Sequence, residues 1–434
     1  MARDVLELAD RLWRGEVEIV EAHPVGFQGG LTEIDTGVAF VSSFANVSAI
    51  DTHDGLVLVD TGASFVARTV YDTVRAWSPQ RLNTAVFSHG HIDHVFGVGP
   101  WEEAAAAEGW PAPVVVAHEA VPARFDRYIA TAGYNEVVNQ RQFQAPGLRW
   151  PTEYRYPDRT YARELALEVG GVTFELHHAR GETDDHTWTW FPQRRVVCCG
   201  DLFIWASPNA GNPQKVQRYP REWARALREI VALDPEVLLP GHGFPVVGAD
   251  RVRRALTDTA ELLESLVDQT LALMNGGARL DEVLHAVTVP ASLAERPYLR
   301  PVYDEPEFVV RNIWRQYGGW WDGNPSSLKP APEAALAREL AALAGGPGAL
   351  AERALSLVAS APGTSGPGPG HADARRVAGH LAELAALAAP ADPGVHRARA
   401  EVFSRLAEQA TSTMAKGVFS WAVRESTVRA EHPH

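Results

Sequence analysis

Residues 89–94 read His89-Gly90-His91-Ile92-Asp93-His94, four potential metal ligands in six positions. Two imidazoles separated by one residue can aim at one cation. The carboxylate and imidazole that follow can turn to a second, about 3.5–4 Å from the first in two-metal hydrolases. Imidazole with carboxylate is a donor set that suits Zn²⁺ and, less selectively, Mn²⁺ or Fe. A dinuclear centre needs further donors, and three other stretches offer them. They are His177-His178-Ala179-Arg180-Gly181-Glu182-Thr183, Cys199-Gly200-Asp201 and Pro240-Gly241-His242-Gly243.

Each stretch follows a short apolar, β-branched run, and a strand-to-loop junction is the usual place for a site in a layered α/β domain. The runs are 84–88 before His89, 172–177 before Glu182, 195–199 before Asp201 and 237–239 before His242. Further strands are expected at 38–44, 47–51, 56–60, 113–118 and 187–191, and helical spacing appears at 64–77 and 221–233. Beyond residue 250 the strand signal fades and a long helix is expected at 255–275. Residues 330–430 are rich in alanine and leucine at helical spacing, broken by Gly/Pro stretches at 345–348, 362–370 and 389–394. That pattern predicts stacked antiparallel helices.

The 434 residues, 46% hydrophobic and 22% charged, are enough for two or three domains, each with its own core. A net charge of -14, from 54 acidic against 40 basic side chains, argues against nucleic acid or an anionic membrane as partner. The two cysteines, Cys198 and Cys199, are neighbours on an expected strand, where they point to opposite faces and cannot easily form a disulfide. A reducing, cytoplasmic location is the expectation. The first twenty residues show no basic segment followed by an apolar one, and no run of about 18 apolar residues occurs.

In this order, the histidine motif, Asp60-Thr61-Gly62 upstream of it, ARGET at 179–183, Cys199-Gly200-Asp201 and Pro240-Gly241-His242-Gly243 resemble the metallo-β-lactamase superfamily. Glu182 stands where that pattern has a ligand histidine, which resembles the alkyl sulfatase branch. Asp268-Gln269-Thr270, the run 275–293 and GWWDGNPSSLKP at 319–330 are similar to segments leading into the alkyl sulfatase dimerisation domain. The resemblance covers nearly the whole chain but does not extend to the sterol-carrier-like C-terminal domain of longer members. It implies an α/β fold, with an αββα sandwich as catalytic domain over 1–250 and a helical connecting segment packed on it over 251–320. An all-α dimerisation domain over 321–434 would follow, and with it a homodimer.

The resemblance also implies a ligand set. His89, His91 and Glu182 would hold one divalent ion, and Asp93, His94 and His242 a second. Asp201 would bridge them, at a position where the branch more often has Glu. His178 or His186 in place of Glu182 stays open. Asp93 and Asp201 are the implied catalytic residues, through a water that the two cations, Zn²⁺ foremost, make more acidic. The loop after Asp201 carries Asn209, Lys215 and Arg218, amide and cationic donors that could face an anionic ester. Tyr134 and Arg141 lie in a segment resembling a helix at the mouth of the site. Trp188, Trp190 and Trp205 read as core. Phe308 occupies the approximate position of a histidine that lies near the sulfate in the branch. The expected activity is hydrolysis of a small anionic ester, foremost an alkyl or aryl sulfate. A phosphodiesterase, lactonase or thioester hydrolase of the same fold is the alternative.

Overall fold

Short β-branched runs separated by glycine-containing turns give two sheets. The computed structural model describes residues 5–26, 30–360 and 369–432. Among these, the first sheet has seven strands in chain order: Gly30–Asp35, Val38–Ser42, Val47–Thr52, Gly55–Val59, Leu82–Val86, Val114–His118 and Arg159–Tyr161. The first four form an antiparallel meander, and the remaining pairings are parallel. The second sheet runs Val246–Val247, Val237–Pro240, Val196–Gly200, His186–Phe191, Val172–Ala179, Glu164–Val169. Its one parallel pair joins Val196–Gly200 to Val237–Pro240.

Alternation along the strands sorts side chains into two cores. Val57, Val59 and Val86 of the first sheet join Phe174, Leu176, Trp188, Trp190 and Val197 of the second in one buried cluster, which also takes in Trp205. Their neighbours Leu58, Ala85 and Phe87 turn the other way, onto Val66, Val70 and Val74 beside and within helix Ala67–Trp77 and onto Phe125 of helix Val121–Ala130. A strand covered on both faces has to be apolar throughout, and Val38–Ser42 and Gly55–Val59 are buried at every position. Helices Pro220–Ala232 and Ala249–Asn275 contribute Trp223, Leu227, Leu256 and Leu263 to the larger cluster. Each such side chain contributes roughly 1.5–3 kcal/mol through burial.

Contacts within the chain define two units: Met1–Gly133 with Trp150–Trp320, and Tyr134–Arg149 with Trp321–His434. The second unit is helical, with Glu333–Ala344, Pro347–Ser360, Pro369–Ala388, Pro393–Gln409 and Thr413–Glu431. The expected Gly/Pro break at 362–370 lies outside the described residues as far as Gly368. Small side chains make this unit's core: Ala341, Ala351, Ala354, Ala378, Ala382 and Ala385 pack with Leu350, Val395 and Val402. Pro393 starts its helix behind Asp392, whose carboxylate accepts the Gly394 and Val395 N–H groups. Residues 134–149 belong here because Gln144 Nε2 donates to the Gly417 carbonyl at 2.7 Å. No helix among the described residues is long and apolar enough to cross a membrane.

Candidate metal centre

The two sheets bring their strand ends to one place. The first supplies the loop 89–94 after Leu82–Val86; the second supplies Glu182, Asp201 and His242 after Val172–Ala179, Val196–Gly200 and Val237–Pro240. The Thr187 N–H donates to the Ser88 carbonyl at 2.6 Å, tying the sheets together beside the histidines. Asn46, from the turn after Val38–Ser42, donates its side-chain amide to the Pro240 and Gly243 carbonyls at 3.1 Å each and so holds the His242 loop. Gly241 leaves no room for a side chain, since a Cβ there would stand 2.2 Å from Asp201 Oδ1.

Seven side chains form two groups. His89, His91, Glu182 and Asp201 offer donor atoms all within 4.8 Å of one another, and Asp93, His94 and His242 do the same. Asp201 lies between them. Its Oδ2 is 3.8 Å from His89 Nε2 and 3.5 Å from His242 Nε2, and its Oδ1 is 3.5 Å from His94 Nε2. Asp93 Oδ2 is 3.4 Å from His242 Nε2, and His91 Nδ1 is 3.9 Å from Glu182 Oε1. Donors about 2.1 Å from an ion at tetrahedral angles stand about 3.4 Å apart, close to this spacing. His94 Nε2, Glu182 Oε2 and Asp201 Oδ1 are buried without a hydrogen-bond partner. Buried donors and acceptors are costly when unpaired, and a divalent cation satisfies all three atom types. The residues fit divalent metal.

Supports fix three of the four rings. Asp60 Oδ2 accepts from His94 Nδ1 at 2.7 Å, which leaves His94 Nε2 as the free donor atom. The Ser88 hydroxyl donates to the same carboxylate at 2.7 Å. With its one proton committed there, Ser88 Oγ accepts from His89 Nδ1 at 2.9 Å and frees His89 Nε2. His242 Nδ1 donates to the Phe44 carbonyl at 2.8 Å. A carboxylate or carbonyl behind a ligand imidazole is the usual means of setting its tautomer and basicity. Asp60 does this from a left-handed backbone conformation, with φ at 59°. The expectation from sequence gave Asp60 no role; the Asp60-Thr61-Gly62 motif was its only signal.

Charge is unevenly tuned. Burial, then the neighbouring His94 and His91, hold His89 well below the usual imidazole range. Burial opposes a charge on His94 as well, but Asp201, Asp60 and Asp93 outweigh it and raise that ring. Burial lifts Glu182 to about 8 against the pull of Arg218. His91 and Asp93 are the members that solvent reaches, with side chains 18% and 20% exposed against 6% or less for the other five. The site therefore opens beside them.

The other expected site residues separate. Arg218 is buried and its Nη1 lies 2.6 Å from Glu182 Oε1. Asn209 donates to the same oxygen. Both therefore touch Glu182 itself. Lys215 is half-buried over the Trp150 ring, 5.5 Å from its centroid, and burial, then Arg218, lowers its ammonium to about 8. Tyr134 and Arg141 fall in the other unit, and Tyr134 is exposed. His178 donates to the Asp184 carbonyl and stacks on His118, outside both groups. His186 accepts the Asp201 N–H at 3.1 Å and stacks on His89, so it supports the centre without being in either group. Half-buried Phe308 begins the segment against which Gly211 packs; a Cβ on Gly211 would stand 2.1 Å from the Val309 nitrogen.

Comparison with known proteins agrees with this architecture. The family model "Metallo-beta-lactamase superfamily" matches residues 42–242, and the model "Alkyl sulfatase dimerisation" matches 279–428. Residues 42–242 therefore form a metallo-β-lactamase superfamily domain. The chain also carries an alkyl sulfatase dimerisation domain. A linear primary-alkylsulfatase from Pseudomonas sp. (strain ATCC 19151) is 28% identical over 333 residues, 68% of this chain and 60% of that protein. An (R)-specific secondary-alkylsulfatase from Pseudomonas sp. is 30% identical over 314 residues, 66% of this chain and 47% of that protein. The chain thus spans between about half and three-fifths of these relatives. The solved structure of a stereoselective inverting sec-alkylsulfatase from Pseudomonas sp. matches the fold over 92% of this chain and 65% of its own, with a TM-score of 0.79 and 24% identity.

Proposed function

We propose that this protein hydrolyses small anionic esters, foremost alkyl or aryl sulfates, with two divalent cations, zinc foremost. The observation that carries the reading is Asp201, one carboxylate within 3.5–3.8 Å of ring nitrogens from both donor groups. His89, His91 and Glu182 would hold one ion, Asp93, His94 and His242 the other, and Asp201 would join them. Bound there, the ions would supply Lewis acidity to the ester oxygens and acidify water. Three of the seven ligands are carboxylates, so two divalent ions leave the cluster formally positive, and Arg218 and Lys215 add to that sign. An anion is drawn in although the chain as a whole carries -14. Asp93, the most exposed carboxylate of the centre, is placed to accept a proton from water at the open side. The substrate enters past His91 and Asp93, with Lys215 beside the path. Relatives named as alkylsulfatases favour sulfate over the other anionic esters.

The dimerisation domain supports a homodimer. Buried free thiols at Cys198 and Cys199 suit a reducing, cytoplasmic compartment. Metal-reconstituted protein offered a panel of chromogenic sulfate, phosphate and lactone esters should turn over the sulfates fastest, and Asp93→Ala should abolish that turnover. Preference for phosphate diesters or lactones would overturn the sulfate assignment and keep the hydrolase. No turnover of any ester would overturn both.

A further inference from the structure

A buried ion pair outside the ligand set ties together the two loops that carry His91 and Glu182. Asp185 is fully buried, and its Oδ2 accepts the Gly90 N–H at 3.1 Å, between the two histidines of the motif. The same oxygen accepts Arg124 Nε at 2.7 Å, and the guanidinium also pairs with Asp184. Arg124 comes from helix Val121–Ala130 and is itself buried. Its guanidinium lies 5.9 Å from the centroid of the Tyr128 ring, which in turn lies 6.4 Å from His91. The fit allows nothing larger than glycine at position 90, where a Cβ would stand 2.7 Å from Arg124 Cδ and 3.1 Å from Asp185 Oδ2. Glu182 is three residues before Asp185 in the same loop, and His186, next after it, accepts the Asp201 N–H.

These contacts converge on one donor group. Asp185 fixes the backbone between His89 and His91 and, through its own loop, the position of Glu182. Asp93, His94 and His242 contact Asp60, Phe44, the shared Asp201 and one another, and the described hydrogen bonds and ion pairs join none of the three directly to Asp185 or Arg124. We propose that Asp185 and Arg124 are positioning residues that set the reach from His91 to Glu182, and so govern occupancy of that cation position more than of its neighbour. This rests on the two-ion reading above.

The test counts zinc bound per chain after dialysis against buffered free zinc, and follows the visible spectrum of the cobalt-substituted protein. Wild type is expected to bind two ions. Asp185→Ala should keep one ion at free zinc that saturates wild type with two, the weaker position losing roughly 10- to 100-fold in affinity. Asp185→Asn, which keeps an acceptor for the Gly90 N–H, should restore part of the second ion, and Arg124→Lys should fall between. Should Asp185→Ala fail to fold, Asp185→Asn and Arg124→Lys carry the test. Asp258→Asn is the control, removing the buried partner of Tyr298 and Arg296 away from the centre. It should lower the melting temperature with both ions retained.

Two ions at unchanged affinity in Asp185→Ala would overturn the positioning role. So would equal loss of both ions, or an equal loss of zinc in Asp258→Asn. A wild type that binds fewer than two ions would instead overturn the two-ion reading itself.

Discussion

The two donor groups use the same kinds of side chain but stand against opposite charges. Behind His94 is the Asp60 carboxylate, and behind His242 the Phe44 carbonyl. Both push electron density onto the rings that would face a cation. Glu182, by contrast, stands against the buried Arg218 guanidinium and the Asn209 amide. A carboxylate shared with a cationic partner is a weaker donor. The difference teaches that two donor groups of the same ligand types can be asymmetric. The group of Asp93, His94 and His242 should hold its ion more tightly, and the group of His89, His91 and Glu182 should hold the exchangeable one.

Asp201 is where the comparison breaks most completely, because it is grouped with His89, His91 and Glu182 yet stands 3.5 Å from both His94 and His242. Asp201→Ala should release both ions and remove several kcal/mol of charge stabilisation, roughly a thousandfold or more in rate. Zinc analysis beside steady-state kinetics checks this. A variant that keeps both ions would show that Asp201 is a neighbour of the groups and not their link.

Asp60→Ala comes next. It should weaken the ion at His94 by roughly 10- to 100-fold, with a smaller effect at His89 through Ser88. Competition with a coloured chelator would read this, and equal weakening at the two positions would remove the asymmetry. In wild type the same competition should show two phases, the first ion leaving at roughly tenfold less chelator than the second. A single phase would contradict the contrast drawn from Arg218.

The smallest effect concerns pH. Asp304 accepts the Gly211 N–H at 2.7 Å and so supports the loop that carries Asn209. Burial raises this carboxyl from its ordinary 3.8 to about 7. Folded protein therefore holds the proton more strongly than unfolded chain. The stability this contributes is complete below about pH 4 and is lost as pH rises through 7. Asp304→Asn should flatten that decline, seen as a melting temperature that changes less than wild type between pH 5 and pH 8. Equal slopes would show that Asp304 does not titrate in this range.

Much of this was legible in the chain itself. Residues 89–94 announce a cation site because their donors are adjacent in sequence, and each remaining member of the two groups sits within a few residues of a β-branched run. The supports were not legible, because they act across distance: Asp60 on His94 over 34 positions, Asp185 on Gly90 over 95 and Asn46 on the Pro240 carbonyl over 194. No local pattern marks such a contact. Asn209 and Arg218 were read as facing a substrate, and their type alone could not say that their first partner is Glu182. Strand Glu164–Val169 was missed although Leu165, Leu167 and Val169 alternate with exposed residues before Gly170-Gly171, a hairpin signal that charged positions diluted. The segment Gly133–Phe143, whose resemblance implied a helix, lies within helix Ala132–Phe143, and from Tyr134 on it groups with the helical unit.

The most direct test of the central claim titrates metal-free protein with zinc while measuring sulfate released from a medium-chain alkyl sulfate. If Asp201 joins two ions into one hydrolytic centre, release should stay near background through the first equivalent per chain and rise through the second. Full activity at one equivalent, or none once two are bound, would contradict it.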